Sequence, residues 1–463
     1  MITENHRRLT LAGSVVGASV VAVDGTMLTM VQPELRRELG ATFGEVQWTS
    51  TGYLIAVAAL LVFAGRLGDR HGHRRLFGWG MLGFALTSAG IGLADGIGEV
   101  VALRIAQGGC GALLQPATLG MLRAAFPPER LGMPIALRTG VIAASAAVGP
   151  LVGGAVAAQF GWRSVFFLNV PLAAAVALVA LCVRVPEPRP AGLVPPDLPG
   201  AVLLAVALAG LVHTAVALPD GGWTAGTVLV ALAATASAVA FARHERRADE
   251  PLIPLDVLRS TDVTSSLGLL VAASAALFGS LFLGTYHLQD VLGLDPLATG
   301  LHAVSGPALM LAAAPLTPAL SRRFGPRATA VGGSALVTAG VLLLARLDAG
   351  TAPIALGFAL LGAGFGTVMV TATAVLLRAA DVSAAGVSGG LQQTALNIGP
   401  VLGIAVATML TTASEGPFAS ALRPALAALA AVAVAGGLLA SRMPGRASAR
   451  AARPSAPLAE GRR

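Results

Sequence analysis

Apolar runs of about twenty residues recur along the whole chain, and they constrain its fold more than any other feature of the sequence. A helix rises 1.5 Å per residue, so each run can cross about 30 Å of hydrocarbon. Charged residues make up only 12% of the 463 residues, and the mean hydropathy is +0.77. The sequence therefore predicts an all-α integral membrane protein and excludes a water-soluble fold.

We count fourteen such runs, and each is predicted to be a membrane-spanning helix. Their approximate limits are 10–31, 47–65, 76–94, 100–122, 134–157, 165–184, 198–218, 224–242, 263–285, 299–320, 328–347, 353–377, 386–412 and 418–440. The first run carries Asp24 and no signal-peptidase motif follows it, so we predict that it is retained as a span.

Arginines are distributed unevenly between the alternate loops that connect these runs. With the N-terminus placed in the cytoplasm, the loops and termini on that side hold 24 arginines, and those on the other side hold five. Because short Arg-rich loops stay cytoplasmic, both termini are predicted to lie there. The arginines that give the net charge of +8 are distributed over these loops and are not gathered on one solvated face. No nucleic-acid partner is therefore predicted.

Two pairs of short segments repeat at nearly the same offset. Residues 67–74 and 320–327 share an L-x-x-R-x-G-x-R frame 253 residues apart, and G-P-L-V-G at 149–153 recurs as G-P-V-L-G at 399–403, 250 residues apart. Such self-similarity is typical of transporters built from two related bundles. Six spans occupy only about 185 residues here, so this offset predicts two additional helices between the halves.

The predicted division of the chain follows from the runs and the repeat. It comprises an N-terminal six-helix bundle over 1–185, a linker with two extra helices over 186–260, a C-terminal six-helix bundle over 261–441 and a disordered cytoplasmic tail over 442–463. No polar linker interrupts the first 440 residues, so the bundles and the linker are predicted to form one membrane-embedded body.

The segment between the second and third runs reads G-R-L-G-D-R-H-G-H-R-R over 65–75. It resembles the G-x-L-x-D-R-x-G-R/H-R/K-R/K signature of the major facilitator superfamily. That resemblance implies a tight turn at the glycines and an ion network that latches one conformation. The residues of this predicted latch are Gly65, Asp69, Arg70, Gly72 and Arg74. The alternative is a solvated basic loop that only sets the orientation.

Asp24 lies inside the first run, in the segment D-G-T-M-L-T-M-V-Q-P. This segment resembles part of the D-x-T-x-x-x-x-A-L-P motif of the fourteen-span drug:proton antiporters of the superfamily. Asp24, Thr26 and Pro33 match it, whereas Val31 and Gln32 replace its Ala-Leu. A carboxyl within a span costs about 2.5–3.5 kcal/mol on insertion scales, so Asp24 is a candidate functional residue. The alternative is a structural carboxyl that is permanently paired.

Arg104, in the fourth run, matches the R-x-x-Q-G motif of the same family. It lies about 7 Å from the outer end of its run, and Asp24 lies about 10 Å from the outer end of the first. We therefore predict that the two side chains meet. A carboxyl subject to both burial and a nearby guanidinium can exchange a proton when the distance between the two groups changes, so the pair is predicted to couple protons. A fixed salt bridge is the alternative.

The fifth run contains S-A-A-V-G-P-L-V-G-G, which resembles the g-x-x-x-G-P-x-x-G-G antiporter signature that importers of the superfamily commonly lack. Gly149, Pro150, Gly153 and Gly154 carry this resemblance. Small residues four apart let helices approach closely, and proline kinks a span, so we predict a hinge or seal here. Close packing without a gating role is the alternative. A G-W-R-x-x-F-x-x-N-x-P match at 161–171 is interpreted as structural.

Four further polar residues at depth are candidates for contact with substrate or protons, namely Gln107, His287, Asp290 and Gln392. Polar residues within spans hydrogen-bond to neighbouring helices, and a histidine near an interface is commonly a satisfied polar residue. These structural roles are the alternatives.

Together the resemblances imply a monomeric, proton-driven antiporter of the cytoplasmic membrane, which exports lipophilic or amphipathic drugs or antibiotics by alternating access. Its predicted partners are protons, a small organic molecule and the lipid bilayer. A proton-coupled importer or facilitator of a small metabolite is the first alternative, and a membrane sensor or enzyme is the second. The sequence holds no metal-ligand cluster, nucleophile triad or phosphate loop, so neither catalysis nor a metal or cofactor is predicted.

Overall fold

The computed structural model of the protein describes residues 4–126, 132–182, 197–248, 260–346, 351–379, 385–414 and 418–443. These residues form α-helices, as predicted, with one π-helical turn at His287–Val291. In chain order the helices are α1 Glu4–Glu38, α2 Phe43–His71, α3 His73–Leu93, α4 Ile97–Ala125, α5 Gly132–Phe160, α6 Trp162–Cys182, α7 Leu198–Gly221, α8 Ala225–Glu245, α9 Thr261–Tyr286, α10 Pro296–Ala303, α11 Ser305–Phe324, α12 Pro326–Leu344, α13 Thr351–Ala379, α14 Ala385–Thr412 and α15 Phe418–Ala440.

Every predicted run coincides with one of these helices except the tenth, which is divided between α10 and α11 at Val304. Eleven helical segments of the described residues are long and apolar enough to cross a membrane, and α5 and α7 contribute shorter apolar segments. The protein is therefore a multi-pass membrane protein, and the exact number of fourteen spans stays a prediction.

Local sequence signals explain where several helices begin. Thr42 caps α2 in a capping box, because its hydroxyl accepts from the backbone N–H of Glu45 while the Glu45 carboxylate accepts from the backbone N–H of Thr42. Asp295 is the N-cap of α10, where its carboxylate accepts from the backbone N–H of Ala298 at 2.7 Å. Pro296 follows as the first helical residue, a position at which a backbone N–H would have no partner within the helix.

The helices before and after the linker pack in the same way. Helix α1 packs on α5 as α9 packs on α14, and α3 packs on α4 as α12 packs on α13. At the repeated motif, α2 runs on to His71 and α3 begins at His73, so the predicted loop consists of Gly72 alone, with φ of 93°. Gly325 joins α11 to α12 with φ of 90°. Both positions need glycine because residues that carry a side chain rarely adopt a positive φ. The same glycine turn at the two matching positions confirms the internal repeat.

The two helix bundles make their main contacts along two helix pairs, α2 with α14 and α5 with α10. The first linker helix, α7, lies against the α2–α14 pair. Val212 of α7 is fully buried in an apolar cluster with Ile55 of α2 and with Val401 and Ala405 of α14. The linker helix α7 thus covers one seam between the bundles.

Candidate functional site

A buried ion pair joins α1 to α4 near the middle of the first bundle. The Asp24 Oδ2 atom lies 2.7 Å from an Arg104 terminal nitrogen, and each side chain is only 1% exposed. The predicted meeting of these residues is therefore confirmed. Among the carboxylates whose side chains the structure describes, Asp24 and Glu245 are the buried ones, and Glu245 is the last residue of its helix. Asp24 is thus the described carboxylate buried deep within a span.

The Arg104 guanidinium has further partners besides Asp24. Its Nε–H donates to the Thr49 carbonyl oxygen at 2.9 Å, and a terminal N–H donates to the Gln107 side-chain oxygen. Gln107 donates in turn to the Ser88 hydroxyl at 2.7 Å. The guanidinium carbon also lies 4.5 Å from the ring centroid of Tyr53, within the range of a cation–π contact. Helices α2, α3 and α4 therefore hold Arg104 independently of the carboxylate.

Asn169 of α6 completes the contacts of Asp24, although the sequence motif at 161–171 that contains it indicates only a structural role. The Asn169 side-chain N–H donates to Asp24 Oδ1 at 2.8 Å. The signal that could have identified it is a lone carboxamide within the sixth apolar run. Each carboxylate oxygen of Asp24 thus accepts a side-chain hydrogen bond.

The other acceptors of Arg104 determine what neutralisation of Asp24 would change in this site. Breaking a buried ion pair by removing one partner is costly, because the other charge is left uncompensated. Here Thr49 and Gln107 still accept from the guanidinium if the carboxyl becomes neutral. Proton transfer to Asp24 would therefore leave Arg104 two of its three described hydrogen bonds.

The predicted hinge motif on α5 packs directly beside this pair. A Cβ atom at Gly149 would overlap the Thr26 hydroxyl, and one at Gly153 would lie 2.9 Å from the Met27 Cα atom. Thr26 and Met27 are the second and third residues after Asp24 on α1. Helix α5 therefore packs closely on the segment of α1 that carries the carboxylate. A movement of either helix must displace the other, because no free space separates them at these glycines.

The opposite face of the same motif touches the second bundle. A Cβ atom at Gly154 would overlap the carbonyl oxygen of Pro296, and one at Gly300 would overlap the carbonyl oxygen of Pro150. Helices α5 and α10 thus approach backbone to backbone. The motif residues consequently lie between the Asp24 segment and the seam between bundles.

A second ion pair closes the bundles at one end, which we call the closed end, where α1 ends and α2 begins. Arg36 of α1 donates to Asp290 at 2.6 Å. The guanidinium carbon of Arg36 lies 4.2 Å from the ring centroid of Phe43, and Phe43 stacks on Phe418 with their ring centroids 5.2 Å apart. Gln289, next to Asp290, donates to a carbonyl oxygen of α1 at 2.7 Å. The π-helical turn thus presents two consecutive residues to the first bundle.

The remaining candidates occupy varied positions. Gln392 donates to the Thr373 hydroxyl at 2.7 Å, which joins α14 to α13. His287 is buried, and neither of its ring nitrogens has a hydrogen-bond partner in the described part of the protein. Arg74 donates to the Ala180 carbonyl oxygen of α6. Asp69 lies in α2, but its side chain is outside the described residues.

Comparison with known protein families agrees with this architecture. The sequence model of the Major Facilitator Superfamily matches residues 15–404 and, in a second alignment, 266–460. The chain belongs to this superfamily.

Several relatives of the chain are named for drug resistance, export or transport. The chain is 41% identical over 361 residues to the tetracenomycin C resistance and export protein of Streptomyces glaucescens, covering 77% of this chain and 66% of that protein. It is 33% identical over 348 residues to the probable actinorhodin transporter of Streptomyces coelicolor, covering 73% and 60%. It is 31% identical over 355 residues to the methylenomycin A resistance protein of Streptomyces coelicolor, covering 75% and 74%. The chain thus spans less than two thirds of the length of the first two.

Solved structures of the superfamily share the fold at low sequence identity. A bacterial homologue of the human lysosomal transporter Spinster, solved in an inward-facing and unoccupied conformation, superposes with a TM-score of 0.68 at 16% identity, covering 95% of this chain and 98% of that one. The POT family transporter PepTSo gives a TM-score of 0.69 at 15% identity, covering 97% of this chain and 98% of that one. These similarities establish the transporter fold of the superfamily.

Proposed function

We propose that this protein is a proton-driven antiporter that exports lipophilic or amphipathic drugs or antibiotics across the cytoplasmic membrane by alternating access. The observation that carries the proposal is the buried Asp24–Arg104 pair, whose arginine keeps other acceptors when the carboxyl is neutral. An ionisable pair at this depth is costly to insert, which favours a functional role over a structural one.

The direction of transport is inferred from the α5 motif and from the relatives. The G-P-x-x-G-G segment resembles an antiporter signature, and its glycines join the Asp24 segment to the seam between the bundles. Relatives that are 31–41% identical are named for resistance to, or export of, tetracenomycin C and methylenomycin A. We propose that this chain handles compounds of that general kind, as a monomer and without a cofactor, with the bundle, linker and tail boundaries predicted from its sequence.

Everted membrane vesicles test the proposal directly. An antiporter that exports drugs releases protons from the acidified vesicle lumen when its substrate is added, and a pH-sensitive dye in the lumen records the change. Tetracenomycin C and a panel of neutral and cationic fluorescent drugs serve as candidate substrates. Drug uptake without proton release would indicate a facilitator, and no transport of any member of the panel would contradict drug export.

The importer alternative makes a distinct prediction in the same vesicles. A symporter moves substrate and protons in the same direction, so adding substrate to the bath cannot release protons from the lumen. Small polar metabolites added in place of drugs provide the matched test. Their failure to move, together with drug-dependent proton release, would exclude this alternative.

Orientation is a separate proposal, based on the arginine distribution: both termini lie in the cytoplasm and the closed end faces outward. Trp223, in the turn between α7 and α8, is 66% exposed, and Arg247 follows α8 at its opposite end. With Cys110 and Cys182 replaced by serine, Trp223→Cys is expected to react with an impermeant thiol reagent on intact cells. Arg247→Cys is expected to react only after permeabilisation. The reverse pattern would invert the topology.

We also propose that the motif at 65–75 latches one conformation. Asp69→Asn is expected to leave substrate binding largely intact while reducing transport severely, because it removes a charge from a conformational network and not from the substrate cavity. Asp95→Asn, at an exposed turn between α3 and α4, is the matched control and should transport normally. Loss of binding with unchanged conformational exchange would instead place Asp69 in the cavity.

A further inference from the structure

An apolar slot of about 370 Å³ lies on the side of the first bundle, away from the seams between bundles. Its walls come from α1 and α6, and α3 and α4 form its floor. Residues that define it are Leu9, Gly13 and Val16 of α1, Ala175 and Val179 of α6, and Arg74 of α3. Helices α2 and α5, which make the main contacts with the second bundle, do not contribute to the lining. Helix α1 lines the slot with residues near its first end, whereas its Arg36 contacts the second bundle near the other end, so the slot lies away from the closed-end contact.

The slot opens sideways, towards the region that the hydrocarbon of the bilayer occupies. Leu9 on one wall and Leu172 and Val179 on the other are each 47–48% exposed. Gly13 leaves room between the walls, since a Cβ atom built there would meet no other atom within 4 Å. The slot is therefore an open apolar recess that a lipid acyl chain can occupy.

Positive charge surrounds the end of the slot that lies at the α2–α3 turn. The described side chains at this end of α1 to α4 include six arginines and one glutamate. The arginines are Arg7, Arg8, Arg70, Arg74, Arg75 and Arg123. Glu4 is paired with Arg8 at 2.7 Å. Basic groups beside a membrane crevice favour anionic lipid headgroups, and each contributes about fivefold in binding near a membrane surface.

We propose that this slot binds one anionic phospholipid, with an acyl chain between α1 and α6 and the phosphate beside Arg74. Arg74 also belongs to the 65–75 motif and donates to Ala180 at the end of α6. The bound lipid would thus join α1 and α6 to the first residues of α3. The net negative charge of its headgroup distinguishes the proposed lipid from a zwitterionic lipid. Its acyl chain, which the apolar slot would hold, distinguishes it from a free phosphate.

Lipid retention by the intact protein tests the proposal. Purified protein is washed in detergent, offered equal amounts of phosphatidylglycerol and phosphatidylcholine with identical chains, and analysed by native mass spectrometry. We expect phosphatidylglycerol to be retained in an excess of about fivefold or more. Equal retention of the two lipids would overturn the proposed headgroup recognition, and displacement of the lipid by water-soluble glycerol phosphate would reduce the site to an anion site.

Two variants that fill the slot distinguish lipid bound in the slot from lipid bound elsewhere on the membrane-facing surface. Gly13→Leu is expected to lower the phosphatidylglycerol excess to parity, because the new side chain occupies the space of the acyl chain. Gly332→Leu on α12 is the matched control, since a Cβ atom there also meets nothing within 4 Å, and it should retain the excess. Ala175→Phe repeats the test from the opposite wall. If both slot variants elute as folded protein and retain the same excess of phosphatidylglycerol, the proposal that the lipid binds in the slot is refuted.

Discussion

Asp24→Asn is expected to abolish uphill export while leaving substrate exchange intact. Asparagine has the shape of the protonated carboxyl, and its side-chain oxygen can still accept from Arg104, but it cannot carry a proton. We expect drug accumulation in energised everted vesicles to fall to the level of vesicles without the protein. Counterflow of labelled drug against unlabelled drug, which needs no proton gradient, should persist and lose its dependence on pH.

Control variants for Asp24→Asn separate coupling from folding. Breaking a buried ion pair destabilises proteins by roughly 3–5 kcal/mol, so the amount of folded protein in the membrane is measured first. Asp95→Asn makes the same chemical change at an exposed position and should pump normally. Asp24→Glu keeps an ionisable carboxyl and should retain some coupling. If Asp24→Asn still concentrates drug with a normal pH profile, then the proton is carried elsewhere.

Charge reversal at Arg36 or Asp290 is expected to open the closed end. The Arg36 and Asp290 side chains are 25% and 15% exposed and lie 2.6 Å apart, so a like charge at either position repels across a contact that is partly shielded from water. Like charges juxtaposed at an interface cost several kcal/mol, enough to reverse a two-state equilibrium. Arg36→Asp and Asp290→Arg should each favour the state open at this end and impair transport. The double exchange should restore closure.

Distances between spin labels can measure this opening. Labels at Ala41 and Val291 report on the two bundles without replacing a member of the ion pair, and both positions lie beside it. We expect a short distance in the parent protein and in the double exchange, and a longer one in each single reversal. Glu4→Arg at the opposite end of α1 is the control, since Glu4 lies far from the closed end and pairs with exposed Arg8. Single reversals that leave the distance unchanged would mean that the other contacts at this end, among them those of Phe43 and Gln289, keep it closed without the ion pair.

The closed-end contact also shows where the structure places one candidate, Asp290. The sequence placed Asp290 and His287 among residues available to substrate or protons. In the structure Asp290 pairs with Arg36, and the π-helical turn directs Gln289 to α1. The spacing of apolar residues does not predict that turn, because a single π-helical turn depends on the packing around it and not on a local sequence pattern.

The sequence by itself determined the membrane character, the internal repeat and the depth of Asp24 and Arg104. These follow from the length of apolar runs and from residue counts along helices, which the hydrocarbon thickness fixes. The same counting underestimated α1, which is 35 residues long and ends at Glu38, because run length measures the hydrocarbon and not the helix. Polar residues such as Arg36 remain helical beyond it.

Only the tertiary structure decided which side chains surround the ion pair and the closed end. Asn169, Thr49 and Tyr53 reach Asp24 or Arg104 from helices far apart in the chain. Their meeting depends on the rotation and tilt of each helix, which packing against neighbouring helices sets and which depth along a span does not encode. For this reason the sequence identified the two charged partners, whereas the hydrogen bonds that let Arg104 keep acceptors without Asp24 emerged only from the folded bundle.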